Sequence, residues 1–390
     1  MRRHHSRRNF LKAGAACVAF PATFLSACKN QKPPDTLLSA DENSVRLPQG
    51  FTSRLIAQSG ERVHPDSPYQ WHAAPDGGGT VALDDGGWLY ISNSEMPKKG
   101  KVGVIRFNGA AEIVSAYSIL EGGNRNCGGC VTPWGSWLSC EEVHNGRVWE
   151  CDPMGKNPAM VRTQMGIFKH ESAVVEPSTL KIYMTEDEKD GCLYRFTPNI
   201  SDNGAVDLSQ GLLEVAIGIS GEPDKLAWEI VPDPNADTIP TRYQVKQRRV
   251  FRGGEGICYY DGKVYFTTKR DNRVWVLYVN NSTIQVIYDG NKKDKNTGSY
   301  GILQGVDALV ADRLGSLYVA EDGGDFQVVK LTHDGRTRAV AQLASQGLSE
   351  VTGVAFNPDY TRLYFSSQRG FLGAPEGGRT YEVTGPFHSL

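Results

Sequence analysis

Cys127-Gly-Gly-Cys-Val-Thr-Pro-Trp-Gly-Ser-Trp-Leu-Ser-Cys-Glu-Glu142 is the stretch from which the fold can be read. Gly128 and Gly129 free the backbone on entry, Pro133 and Gly135 punctuate a turn, and Trp137-Leu138 supply a buried strand, so the stretch predicts a hairpin. The strand ends in a thiol and two carboxylates, Cys140, Glu141 and Glu142. Like charges packed this closely repel one another unless something positive lies between them. Solvation at a strand end accounts for a single Glu-Glu pair, but it accounts poorly for a pair that recurs.

The pattern does recur. An apolar strand, a Gly- or Pro-marked turn and a second strand centred on Tyr or Leu return six times, with centres at Tyr90, Leu138, Tyr183, Tyr265, Tyr318 and Tyr364. Most centres lie 45 to 53 residues apart. That period is one four-stranded blade, and the repeat predicts an all-β, six-bladed β-propeller. Two stacked sandwiches would not need a constant period. The wide gap between Tyr183 and Tyr265 is assigned to a Pro- and Asp-rich insertion at about 197–250, and Gly77-Gly78-Gly79 to a turn.

The first 28 residues read as an address. Ser6-Arg7-Arg8-Asn9-Phe10-Leu11-Lys12 places twin arginines before a short Ala-rich stretch, a Tat-type export signal. Leu25-Ser26-Ala27-Cys28 resembles a lipobox, which predicts lipidation of Cys28; a soluble periplasmic protein cut nearby is the alternative. Residues 29–48 read as a tether and 49–390 as the propeller domain. The expected location is the periplasm or the cell surface, with the membrane contacted only through the lipid. A formal net charge of −2 with scattered Lys and Arg argues against a nucleic-acid partner, and a monomer is expected.

In a propeller blade the start of the first strand and the end of the second lie at the same mouth of the channel. Entry positions carry Cys127, His170-Glu171, Glu255 and Asp307; exit positions carry Asn93-Ser94-Glu95, Cys140-Glu141-Glu142, Glu186-Asp187 and Glu321-Asp322. Convergence of so many anionic ligands predicts a multi-metal rim. Carboxylates favour Ca2+, whereas a thiolate points to iron, zinc or copper. Cys140 is the expected soft ligand, although a Cys127–Cys140 disulfide would remove it. No nucleophile elbow, phosphate loop or dinucleotide fingerprint is present, so hydrolysis by a metal-bound water is the economical mechanism. Arg252 and Arg369 are candidate phosphate clamps.

Asn126-Cys127, Thr132-Pro133-Trp134-Gly135-Ser136-Trp137 and Ser139-Cys140-Glu141-Glu142 resemble the central motif of PhoX-type alkaline phosphatases. Phe168-Lys169-His170-Glu171, Thr185-Glu186-Asp187, Leu193-Tyr194-Arg195-Phe196 and Glu321-Asp322-Gly323 resemble that family's later motifs, in order, over about Pro68 to Gly370. The resemblance implies a Tat-exported six-bladed propeller with Fe(III) and Ca2+ that hydrolyses a small phosphate monoester at the channel mouth. It implies Cys140 as iron thiolate, Glu186, Asp187, Glu255, Asp307 and Glu321 as carboxylate ligands and Arg252 as a phosphate contact. With the rim reading, Glu141, Glu171 and Asp322 join the metal set, and Arg252, Glu255 and Cys140 form the catalytic set. Three features depart from the family: the chain is shorter than its larger members, one extra residue separates Arg252 from Glu255, and Ser366-Ser367-Gln368-Arg369-Gly370 stands where His-Pro is more usual. A non-catalytic or lactonase-like calcium-binding propeller on the cell surface is the alternative.

Overall fold

The computed structural model describes residues 36–293, 300–345 and 347–390; the export signal and Cys28 lie outside them. The chain is all-β. Its strands are β1 (Val45–Arg46), β2 (Thr52–Gln58), β3 (Pro75–Ala82), β4 (Trp88–Ser94), β5 (Gly100–Phe107), β6 (Ile113–Gly123), β7 (Asn126–Val131), β8 (Trp137–Glu141), β9 (Val148–Cys151) and β10 (Met160–Val161). They continue with β11 (His170–Val175), β12 (Ile182–Glu186), β13 (Leu193–Ile200), β14 (Val206–Ile219), β15 (Glu222–Ile230), β16 (Gly254–Tyr260), β17 (Lys263–Thr268), β18 (Arg273–Tyr278) and β19 (Thr283–Asp289). The last are β20 (Val306–Ala311), β21 (Leu317–Glu321), β22 (Gln327–Leu331), β23 (Thr337–Leu343), β24 (Val351–Phe356), β25 (Arg362–Ser367) and β26 (Arg379–Thr384). Helix is confined to short 3₁₀ turns among the described residues.

Four sheets stand apart as up-and-down units: β3–β6, β7–β10, β20–β23 with β1 on its edge, and β24–β26 completed by β2. Because β2 pairs with β26, the last sheet joins residues from both ends of the propeller domain and closes the ring. The chain from His170 to Asp289 forms one nine-stranded sheet in which β11–β14 and β16–β19 are linked through β15 and the single pair Lys225↔Thr283. The expectation of a propeller is met in its all-β, propeller-like form, not in a count of six separate sheets. The stretch at about 197–250, read as an insertion, supplies β14 and β15. The tether is shorter than expected as well, since Val45 and Arg46 pair with Leu343 and Gln342.

All six predicted centres fall on second strands: Tyr90 on β4, Leu138 on β8, Tyr183 on β12, Tyr265 on β17, Tyr318 on β21 and Tyr364 on β25. Strand alternation sends successive side chains to opposite faces. On β4, Trp88 and Tyr90 pack with Tyr364 toward the last sheet, while Leu89 and Ile91 pack with Trp137 toward the second. On β8, Leu138 and Cys140 pack with Met165, Phe168 and Met184 toward the next sheet. The hydrophobic core is therefore a circle of wedges between neighbouring sheets.

The first strands β3, β7, β11, β16, β20 and β24 neighbour one another in that order, with β24 meeting β3. They approach so closely that small residues are required. A Cβ on Gly77 would collide with the Cys127 carbonyl, and one on Gly353 with the Asp76 carbonyl. Gly77 to Gly79, expected in a turn, lie within β3: at Gly77 and Gly78 only bare backbone fits against the neighbouring first strands, and at Gly79 the Trp137 ring fills the space.

Candidate metal centre at the channel mouth

Each first strand begins with a pair to the end of the second strand: Pro75↔Ser94, Asn126↔Glu141, His170↔Glu186, Gly254↔Thr268, Val306↔Glu321 and Val351↔Ser367. The register then slips by one residue, immediately in the first five and one residue later in the last. A bulge re-aims the side chain it carries. The residues that follow the first pair are Asp76, Cys127, Glu171, Glu255 and Asp307, each at the slip, and Thr352, just before it; they form an inner ring. Residues just past the second strands, Glu95, Glu142, Asp187, Lys269, Asp322 and Gln368, form an outer ring.

Two overlapping sets emerge. Ligand atoms of Cys127, Glu142 and Glu171 lie within 4.8 Å of one another, as do those of Glu171, Glu255 and Asp307. Glu171 belongs to both. The Cys127 thiol donates to Glu171 Oε1 at 2.9 Å. Asn93 fixes the Cys127 segment by donating from Nδ2 to the Cys127 and Gly128 carbonyls at 2.6 and 2.9 Å.

The group gathers an excess of buried acidic side chains. Burial, then the charges of Glu142, Glu255 and Asp307, push Glu171 well above the usual carboxylate range. Burial and Asp307 raise Glu255 despite the opposing ammonium of Lys269. Asp307 is pushed up to about 7, chiefly by burial, and Glu142 to about 7 by burial and Glu95. Burial, then Asp76 and Glu171, raise the Cys127 thiol far above its ordinary value. Glu255 Oε1 is buried without a hydrogen bond; the Lys269 ammonium stands 3.4 Å away, at ion-pair distance only. Buried anions this close are tolerable only if protonated or bound to a cation. Among oxygens and one thiolate, this donor set fits a metal.

The expected site residues separate into groups. Glu171, Glu255 and Asp307 come together as described. Asp187 and Asp322 border them: Lys169 Nζ bridges Asp187 at 2.6 Å and Glu142 at 2.7 Å, and Lys269 Nζ reaches Asp322 at 2.8 Å. Burial would raise both aspartates, but their lysines hold them below the ordinary carboxylate value. Arg252 is exposed, and the adjoining Gly253 lies against Arg270 and Asp187.

Glu141, Glu186 and Glu321 have a different task. Each accepts a backbone N–H from six residues on, Arg147 at 3.2 Å, Cys192 at 3.1 Å and Gln327 at 3.0 Å, and so fastens the loop behind the second strand. Glu186 also pairs with Arg242 at 3.1 Å. Cys140 is fully buried in the apolar wedge, and the thiol among the carboxylates is Cys127. The physical reason is parity: Cys140 shares the face of Leu138, while the β7 bulge turns Cys127 to the axis. All six cysteines among the described residues are free, so no Cys127–Cys140 disulfide forms. His170 is turned away as well, with Nε2 3.0 Å from the Gly166 carbonyl and its ring stacked on Phe168.

Sequence reading missed Asp76, Glu350, Lys169 and Lys269 at the mouth. Asp76 precedes Gly77 as Glu255 precedes Gly256, and that Asp/Glu-Gly signal marks the same bulge in both strands.

The sequence profile of the family described as alkaline phosphatase PhoX matches residues 77–150 and 144–301, together more than half of the chain. Among solved structures, Pseudomonas fluorescens PhoX in complex with vanadate, a transition state analogue, superposes with a TM-score of 0.72 at 16% identity, covering 90% of this chain and 97% of that one. A protein of unknown function from Bacteroides thetaiotaomicron gives 0.50 at 11% identity, covering 86% and 76%. A gluconolactonase from Xanthomonas campestris gives 0.47 at 11% identity, covering 91% and 99%. No curated protein matches the sequence. At 16% identity the likeness to Pseudomonas fluorescens PhoX establishes the fold alone.

Proposed function

Since the chain belongs to the PhoX alkaline phosphatase family, we propose that it is a metal-dependent phosphatase acting on small phosphate monoesters at the channel mouth. The observation that carries this reading is the pair of overlapping sets that share Glu171. Cys127, Glu142, Glu171, Glu255 and Asp307 would hold the metal. The thiol favours Fe(III) in the set containing Cys127, and the positions offering only carboxylates favour Ca2+. Such cations, when bound, polarise a phosphoryl oxygen and lower the pKa of a bound water. The chain's own contribution is positioning. Asn93 holds the Cys127 backbone, and the partly buried Lys169 and Lys269 keep the flanking aspartates ionised and in place. Arg252, exposed beside Gly253, offers a planar fork to a phosphate. We count the nine-stranded sheet as two blades and the propeller as six; an experimental structure with another number of first strands about the axis would overturn that count.

The decisive comparison is between two conservative variants. Cys127→Ser is expected to deplete the transition metal and the hydrolysis of p-nitrophenyl phosphate together, while Cys140→Ser keeps both. Elemental analysis alongside the assay reads the outcome. Metal loss from Cys140→Ser with retention in Cys127→Ser would reverse the assignment. Wild-type protein carrying only calcium and lacking phosphatase activity would favour a calcium-binding propeller of another kind.

The export reading rests on the N-terminal motifs. We propose Tat-dependent export, a lipid on Cys28 and a monomeric propeller outside the cytoplasm that binds neither nucleic acid nor membrane except through that lipid. Cys28→Ser is expected to move the protein from the detergent phase to the aqueous phase in a partitioning experiment. Unchanged partitioning would leave a soluble periplasmic protein instead.

A further inference from the structure

The outer ring carries one reversed charge. At equivalent strand-end positions it reads Glu95, Glu142, Asp187, Lys269, Asp322 and Gln368. Lys269 thus stands where its neighbours on both sides present carboxylates. Its ammonium lies 2.8 Å from Asp322 Oδ2 on the following strand pair and 3.4 Å from Glu255 Oε1 on its own. Glu255 is 2% exposed and its Oε1 has no hydrogen bond, so nothing else described offsets that oxygen. Asp322 and Lys269 are about one-third exposed, which leaves the gap open to ions from solvent.

We propose that Lys269 takes the place of a metal ion: its ammonium occupies the gap between Glu255 and Asp322 that a divalent cation would otherwise fill. Two carboxylates facing each other across a partly buried gap demand a positive charge. A lysine supplies it covalently, so it cannot be chelated away, and its charge repels a free cation from the same gap. Lys169 repeats the arrangement between Glu142 and Asp187, at 2.7 and 2.6 Å, from the residue before β11. Metal binding is thereby confined to the group around Glu171, and the mouth takes fewer cations than its carboxylates suggest. The inference rests on reading the mouth as a cation site, but not on phosphatase activity.

The test is cation stoichiometry. Lys269→Gln and Lys269→Met, loaded with CaCl2 and desalted, are expected to carry about one further equivalent of Ca2+ per chain over wild type. Their thermal midpoints are expected to rise with Ca2+ more than that of wild type, as binding to the native state requires. Lys269→Arg keeps the charge and is expected to gain nothing. A variant that folds only in Ca2+ supports the proposal equally. The double variant Lys269→Gln/Asp322→Asn removes one charge of each sign; it is expected to fold without added Ca2+ and to gain no cation. Wild-type stoichiometry and Ca2+ response in both single variants, or a gained cation in the double, would overturn the proposal. If wild type carries metal and the variants gain none, this inference fails alone; if wild type carries no metal, the reading of the mouth fails.

Discussion

Glu171→Gln is expected to remove nearly all phosphatase activity and to cut metal affinity by at least about 100-fold, the upper end of what loss of a supporting outer-shell partner costs. The reason is its double membership. Glu171 lies within 4.8 Å of Cys127 and Glu142 on one side and of Glu255 and Asp307 on the other, and among the described residues it is the carboxylate that belongs to both sets. The amide keeps the size of the side chain and a neutral oxygen, which separates charge from packing. Two opposite stability changes follow from the same substitution. With metal bound, the variant should melt below wild type because it binds the cation more weakly. With metal stripped, it should melt above wild type, since a buried carboxyl held well above its ordinary range costs stability that the neutral amide does not. Thermal midpoints with and without chelator, beside elemental analysis, check both signs. Unchanged metal content would remove Glu171 from the centre, and a metal-stripped variant less stable than wild type would refute the account of strain.

Trp137→Ala is expected to cost about 3–5 kcal/mol, the range for deleting a fully buried aromatic side chain. Trp137 is wholly buried between the first two sheets, where Gly79 has no side chain because the indole ring lies against it. Its Nε1 donates to Asn93 Oδ1 at 3.0 Å, and Asn93 Nδ2 in turn holds the Cys127 carbonyl at 2.6 Å. The lost indole therefore loosens the wedge and the segment that presents the thiol. Trp137→Phe keeps most of the volume and loses the donor, but Asn93 Oδ1 still accepts from Ser139 Oγ at 2.9 Å, so it should cost only about 0.5–1.5 kcal/mol, the net worth of one hydrogen bond. Urea denaturation of the metal-stripped proteins separates the two variants. A loss below about 1 kcal/mol for Trp137→Ala would show that the wedge collapses around the cavity, and that packing here is not specific.

The repeat of strand, turn and aromatic-centred strand was legible because it depends on local alternation and on turn residues, both written in consecutive positions. That is why Tyr90, Leu138, Tyr183, Tyr265, Tyr318 and Tyr364 all fall on second strands. Local signals did not show that β15 would join two runs of strands into one sheet, because Lys225 and Thr283 meet only after the chain has turned back on itself. The acids of the mouth were legible as a group for the same reason as the blades: they recur at strand ends. Which of two adjacent side chains faces the axis is a question of parity. A single bulge residue inverts it, and every first strand carries such a bulge near the axis, where Gly77 and Gly353 have no room for a Cβ. Hence Cys127 rather than Cys140 stands among the carboxylates, and Glu141, Glu186 and Glu321 fasten loops while their successors line the rim. Consecutive residues are enough to specify an all-β repeat with acids and thiols at strand ends; closure of the ring, by setting register at the axis, selects which of them meet.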